Sequence, residues 1–294
     1  IRVINDLDEF ERLVPQASAE AQAAFGEGGL YIEKLIETAR HVEVQVLGDG
    51  ERVVHCFERE CSLQRRRQKV WEEAPAAPLP EDVRRKLCAA AVALAQSVGY
   101  RGAGTAEFLY DEQSRDFYFI EMNTRIQVEH PVTELITGID LVREMIAIAG
   151  GAPLSLEQSD IGISGHAIEC RINAEDPEND FAPFPGVVEN LSVPGGPGVR
   201  FDTMLYPGYA IPPFYDSLLG KLMVWDETRD KALNRLERAL AELEISGVKT
   251  TKLLHQALLA DPDVRAARFH TKFLEHWLET RPPGLVQHKE VANR

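Results

Sequence analysis

Polar and apolar residues alternate one by one along Arg40 to Leu47, with His41, Glu43 and Gln45 set against Val42, Val44 and Val46. Successive side chains of an extended chain point to opposite faces, so this stretch is expected to be a strand with one polar face. Leu30 to Ile36 reads as a strand before it, and Gly48-Asp49-Gly50 reads as a hairpin turn into another from Arg52 to Glu58. Together they predict a small antiparallel sheet. Further on, Thr105 to Tyr110 and Phe117 to Met122 flank the turn Asp111 to Asp116, a second hairpin that brings Glu107 close to Glu121. His166 to Ala174, with Glu169 and Arg171 on one face, and Leu218 to Trp225 read as later strands.

Helical periodicity marks the rest. Asp6 to Phe25 is expected to be helical but interrupted at Pro15, with Ser18 as a fresh N-cap and Gly26 to Gly29 as the stop. Glu81 to Val98 follows a linker from Pro75 to Pro80, and Thr133 to Ala149 reads as one apolar-striped helix. Leu233, Leu236, Leu240 and Leu243 fall at helical spacing within Arg229 to Leu243, a core stripe. After a Pro/Gly-rich stretch from Pro183 to Gly198, the last expected helix is Thr271 to Glu279, with a frayed tail from Arg281.

One run holds most of the polar chemistry: Glu121, Asn123, Arg125, Gln127 and Glu129 alternate with Met122, Ile126 and Val128. Fully extended, it would set its end carboxylates on one face with a guanidinium between them. Such a row suits a hard cation at one end and an anion in the middle; an amphipathic edge strand would show the same alternation. Glu107, Glu121 and the amide oxygen of Asn123 form an all-oxygen set suited to magnesium. Glu60 to Lys69 has no hydrophobic period and carries Arg65, Arg66, Arg67 and Lys69. It reads either as a solvated face or as a phosphate-binding cluster. Gly99 to Gly104 superficially resembles a dinucleotide glycine loop, but it precedes a strand instead of opening a helix, so that reading fails.

Composition narrows the choices. The chain has 294 residues, 44% hydrophobic, enough for a large core or two domains. Its net charge of −15, from 47 acidic and 32 basic residues, argues against nucleic acid as the main partner. Four cysteines without a CxxC pair read as reduced thiols, and no apolar run is long enough to span a membrane. A cytoplasmic location is the expectation.

Several stretches together resemble the biotin carboxylases, the ATP-grasp components of biotin-dependent carboxylases. They are Tyr31-Ile32-Glu33-Lys34, Arg40 to Val46, Gln64-Arg65-Arg66, Glu72-Glu73-Ala74-Pro75, Gly104 to Phe108, Glu121 to His130, and Glu169 to Asp176. The resemblance implies an α+β chain: the C-terminal part of an ATP-grasp domain followed by a biotin carboxylase C-terminal α/β domain. Residues 1–70 would be the remainder of the small lobe, 71–163 the core with the metal and bicarbonate face, 164–280 the C-terminal domain and 281–294 a flexible tail. It also implies ATP contacts from Glu33, Lys34, Leu35, His41, Gln64, Lys69 and Leu109. Magnesium or manganese would be held by Glu107, Glu121 and Asn123, and bicarbonate by Arg125, Gln127 and Val128. Glu129 would be the base, with Arg125 and Arg171 completing the catalytic set and Arg171 facing biotin.

The implied reaction is ATP- and bicarbonate-dependent carboxylation of biotin on a biotin carboxyl carrier protein, within acetyl-CoA carboxylase or a related acyl-CoA carboxylase. Its partners would be that carrier and a carboxyltransferase component, with a homodimer as the family's assembly. In the family an N-terminal domain, a core lysine and a glycine-rich lid with a second lysine precede the part that matches Ile1. A truncated, noncatalytic nucleotide-binding or assembly fragment is therefore the alternative. Arg67 stands where many members have histidine, and Pro197 where some have an aromatic on the dimer face.

Overall fold

The computed structural model describes residues 2–280. Residues up to Glu37 form one compact unit and those from Thr38 onward another. In the first, α1 (Leu7–Phe25) is a single helix that carries Pro15 inside it. Its N-cap is Asp6, whose carboxylate accepts from Glu9 N at 2.8 Å; Ser18 lies within the helix and donates to Gly28 O instead of starting a new one. The proline removes one N–H from the ladder, a cost that the remaining turns bear. Leu30 to Ile36 is not a strand: it is irregular, with Tyr31 and Ile32 exposed, and joins no ladder among the described residues. β-propensity without a ladder partner does not make a strand.

The second unit is built on one antiparallel sheet of eight strands, larger than the small sheet expected. They are β1 (Ala39–Asp49), β2 (Val53–Arg65), β3 (Gln68–Ala74), β4 (Arg101–Asp111), β5 (Phe117–Asn123), β6 (His166–Asn173), β7 (Val199–Thr203) and β8 (Leu218–Asp226). Their order across the sheet is β7-β8-β6-β3-β2-β1-β4-β5. Val42, Val44 and Val46 pack under α2 (Glu81–Ser97) through Val83, Leu87 and Ala91. On the opposite face Leu47, Val54 and Ala103 meet Leu141 and Ile148. Both faces are covered, so the polar face of β1 is buried.

The helix expected over Thr133 to Ala149 is two, α3 (His130–Thr137) and α4 (Leu141–Ala149). Gly138, at φ 74°, caps the first, and Asp140 starts the second by accepting from Arg143 N at 2.8 Å. A left-handed residue ends a helix whatever the apolar stripe beyond it. The basic run is the end of a hairpin: β2 continues through it to Arg65, Arg66 and Arg67 form an exposed two-residue turn, and β3 begins at Gln68 and carries Lys69 inward.

Beyond the sheet, α5 (Arg229–Glu242), α6 (Lys252–Ala260), α7 (Pro262–Arg265) and α8 (Phe273–Thr280) cover β6 and β8. Leu233, Leu236, Leu240 and Leu243 are all fully buried there, as their spacing implies. Glu73 ties this layer to the sheet, accepting from Arg229 Nε and Nη2 at 2.6 and 2.7 Å while His166 Nε2 lies 2.9 Å away. Cys56, Cys61, Cys88 and Cys170 are buried free thiols. Among the described residues no helix is long and apolar enough to cross a membrane. The expected tail from Arg281 lies outside the described residues.

Candidate functional site

Strand register sets a row of charged side chains at one level of the sheet. Glu121 on β5 faces Glu107 on β4, Glu107 faces Glu43 on β1, and Glu43 is paired with Arg59 on β2. Buried carboxylates this close require cations, and two supply them. Arg59, fully buried, donates to Glu43 Oε1 (2.6 Å), Gln45 Oε1 (2.8 Å), Thr133 Oγ1 (3.0 Å), Thr105 Oγ1 and Gln127 Oε1 (both 3.1 Å). Lys69 reaches in from β3, with Nζ 2.5 Å from Glu43 Oε2, 2.6 Å from Glu129 Oε1 and 3.1 Å from Glu107 Oε1. Burial alone would raise both Glu43 and Glu107, but Lys69 and Arg59 around the first, and His41 and Lys69 around the second, bring each down to about 2.

His41 bridges this row to a neutral edge. Gln64 Nε2 lies 2.6 Å from His41 Nδ1, and since the amide nitrogen donates, the imidazole proton sits on Nε2, which lies 2.9 Å from Glu107 Oε2. Leu109 is half-buried and opposite His41 in the β1–β4 register. Gln64 and Leu109 therefore each adjoin His41 beside the carboxylates.

The polar run after β5 does not stay extended. The strand ends at Asn123 and the chain turns into α3, so the row curls instead of running on extended. Its acceptors draw it inward: Gln127 is 6% exposed and Glu129 2%. Gln127 accepts from Arg59 and gives its Nε2 to Glu107 at 2.8 Å. Glu129 takes Lys69 on one oxygen and Arg171 Nη2, at 3.0 Å, on the other. Arg171 is held in turn by Glu72, 2.6 Å from its Nε, and burial pushes Glu72 up to about 7 against the pull of that guanidinium. Arg125 stays exposed, with Nη2 3.3 Å from Asn123 Oδ1.

A cavity of about 320 Å³ is lined by His41, Lys69, Glu107, Glu121, Asn123, Arg125, Gln127, Val128, Glu129 and Arg171, with Arg67 and Asp216 to Leu218 at its border. Of the basic run, Lys69 enters the site's centre, while Arg65 and Arg66 turn to Asp180. Glu33, Lys34 and Leu35 are exposed and irregular in the unit that ends at Glu37.

The two carboxylates of Glu107 and Glu121, direct cross-strand neighbours, fit a hard divalent cation, whereas Asn123 turns its Nδ2 to them at 2.9 and 3.3 Å and its Oδ1 to Arg125, so its amide would have to turn over to add an oxygen ligand. Both carboxylates already gather donors to one place. Arg59, outside every resembling stretch, and Glu43 and Glu72, within two of them but given no role there, are also parts of the site. A signal exists for Arg59, a charge inside the strand sequence Phe57-Glu58-Arg59-Glu60-Cys61, where only a paired group can be buried.

Two family models match the chain: the carbamoyl-phosphate synthase L chain, ATP binding domain, over residues 1–157, and the biotin carboxylase C-terminal domain over 169–276. The chain is 52% identical over 276 residues to a biotin carboxylase of Nostoc sp., covering 94% of this chain and 62% of that protein. It is 50% identical over 276 residues to biotin carboxylase 1 of Bacillus subtilis, covering 94% and 61%. The biotin carboxylase domain dimer of Hydrogenobacter thermophilus 2-oxoglutarate carboxylase, solved with magnesium ADP, ADP and bicarbonate, aligns with a TM-score of 0.90 at 46% identity, covering 98% of this chain and 63% of that one. The chain thus spans about three fifths of the length of such relatives.

Proposed function

The chain belongs to the biotin carboxylase family, and from that premise we propose that it carries out the ATP- and bicarbonate-dependent carboxylation of biotin on a carrier protein, through carboxyphosphate. The observation that carries the reading is the convergence of Glu107 with Glu121, of Gln127 with Glu129, and of Arg171 around one cavity. In this reading His41, Gln64, Lys69 and Leu109 serve ATP, as do Glu33, Lys34 and Leu35. Magnesium or manganese, held by Glu107 and Glu121 with Asn123 alongside, would neutralise charge on the transferring phosphoryl group.

Arg125, Gln127 and the backbone of Val128 bind bicarbonate next to Glu129. Glu129 takes the bicarbonate proton as a bicarbonate oxygen attacks the γ-phosphorus and ADP departs. Carboxyphosphate then divides into CO2 and phosphate, and the phosphate removes the proton from the ureido nitrogen of biotin. The resulting enolate attacks CO2 with its oxygen stabilised by Arg171. The pairing of Arg171 with Glu129 supports this order: once Glu129 is protonated its hold weakens, and Nη2 is released toward the ureido oxygen.

The same reading assigns residues 1–70, 71–163 and 164–280 to small lobe, metal and bicarbonate core, and C-terminal domain. It gives the chain a carboxyl carrier, a carboxyltransferase and a second copy of itself as partners, in a cytoplasmic acetyl-CoA or related acyl-CoA carboxylase. In the full-length polypeptide, a nonhydrolysable magnesium-ATP analogue should raise the melting temperature, and Glu121→Gln should abolish that response while leaving the ligand-free melting temperature nearly unchanged. Equal stabilisation in the variant would remove the metal assignment. Magnesium-dependent stabilisation without any bicarbonate-dependent phosphate release would favour the noncatalytic nucleotide-binding alternative.

A further inference from the structure

Lys221 takes no part in the chemistry just described, yet it is tied to its centre. It lies on β8 directly across from Arg171 on β6. Two cations therefore leave adjacent strands toward one loop: Arg171 binds the Glu129 carboxylate, and Lys221 Nζ donates to the carbonyl oxygen of Val128 at 2.8 Å. The Lys221 side chain is only 14% exposed, and Asp202 Oδ2 lies 4.0 Å from its nitrogen. Asp202 is paired with Arg200, which also donates to Glu134 on α3 at 2.9 Å. A chain of charges thus runs from β7 and β8 to both the loop and the helix that follows it.

The loop has no strand partner, so its peptide planes need other anchors. The carbonyl of Gln127 accepts from His130 N at 3.4 Å and has His130 Nδ1 2.7 Å away. The carbonyl of Val128 accepts from Lys221. Both carbonyls flanking the Val128 residue are thereby fixed, while its N–H donates to no group among the described residues. An N–H oriented by its neighbours and left without an acceptor at a cavity wall is a donor prepared for an anion.

We infer that Lys221 is a positioning residue: by holding the Val128 carbonyl it orients the Val128 backbone and Gln127 toward bicarbonate and keeps the loop in register with Arg171. This rests on the bicarbonate reading above. Lys221 touches no substrate; it acts through the loop. A charged hydrogen bond to a part-buried carbonyl is of a size whose loss shows as about a tenfold change or more in affinity.

The test uses the full-length polypeptide and measures bicarbonate-dependent ATP cleavage with bicarbonate and ATP varied separately. Lys221→Met should raise KM for bicarbonate about tenfold or more while KM for ATP stays within about twofold, and Lys221→Arg, which can still donate, should recover most of the loss. If Lys221→Met fails to fold, Lys221→Gln is read the same way. An unchanged bicarbonate KM, an equal rise in both KM values, or no recovery by arginine would each overturn the inference. Wild-type protein that shows no bicarbonate-dependent cleavage would instead overturn the carboxylase reading itself.

Discussion

His255 is fully buried on α6, with Nε2 2.7 Å from the carbonyl oxygen of Arg171 and no partner for Nδ1. The carbonyl only accepts, so the imidazole is neutral with its proton on Nε2, and a second proton would have to enter at an unpartnered buried nitrogen. Burial accordingly pushes its pKa down to about 4, with the Arg171 carbonyl acting weakly the other way. Between about pH 6.5 and 4 the unfolded chain binds a proton that the folded chain does not, so this residue's contribution is complete above 6.5 and is lost as pH falls toward 4. The full loss is roughly 3 kcal/mol. Urea unfolding across this window should show His255→Gln, which keeps a donor for the carbonyl, with a shallower decline than wild type; parallel declines would refute the assignment. The residues of the site divide by legibility in the same physical way. Glu107, Glu121, Gln127 and Glu129 are recognisable because their types recur at short spacing within and just before one run. Arg59 is not, because its five acceptors come from segments up to 74 residues away.

Turns and close approaches decide the elements. Gly48 has the sequence surroundings of a hairpin turn, but it lies in β1, and a Cβ there would fall on the carbonyl oxygen of Tyr100. That obstacle is backbone and cannot rotate aside. Gly48→Ala should therefore force the paired ends of β1 and β4 apart and destabilise the fold by about 1–3 kcal/mol, measured as a shift of the urea midpoint; a neutral result would mean that the two strands separate there at no cost. The β2–β3 hairpin is hidden for the converse reason. Arg66 and Arg67 hold φ of 48° and 66° in its two-residue turn, where Asn-Gly would have been the recognisable signal. Alternation along β1 and β4 is legible because period two survives burial of both faces. The break between α3 and α4 is not, since the apolar stripe continues past Gly138 while the backbone does not.

Across the whole molecule, the order of strands unites what the chain separates. β3 and β6 are neighbours, so Glu72 faces Glu169 and Arg171 reaches both Glu72 and Glu129, although 99 residues separate Arg171 from Glu72. No local pattern predicts that neighbour relation; without the sheet order, only the motif resemblance joins Arg171 to the loop. The proposed reaction shares Arg171 between Glu129 and biotin. The most direct test measures bicarbonate-dependent ATP cleavage and carboxybiotin formation side by side in the full-length polypeptide. Glu129→Gln keeps its shape but accepts no proton, so both activities should fall by about 100-fold or more. Arg171→Met should leave much of the ATP cleavage while carboxybiotin formation falls by about 100-fold or more, because only the later step builds charge on the ureido oxygen. Loss of both activities in parallel in Arg171→Met, with an unchanged melting temperature, would contradict the separate role of Arg171 and assign it to the bicarbonate step.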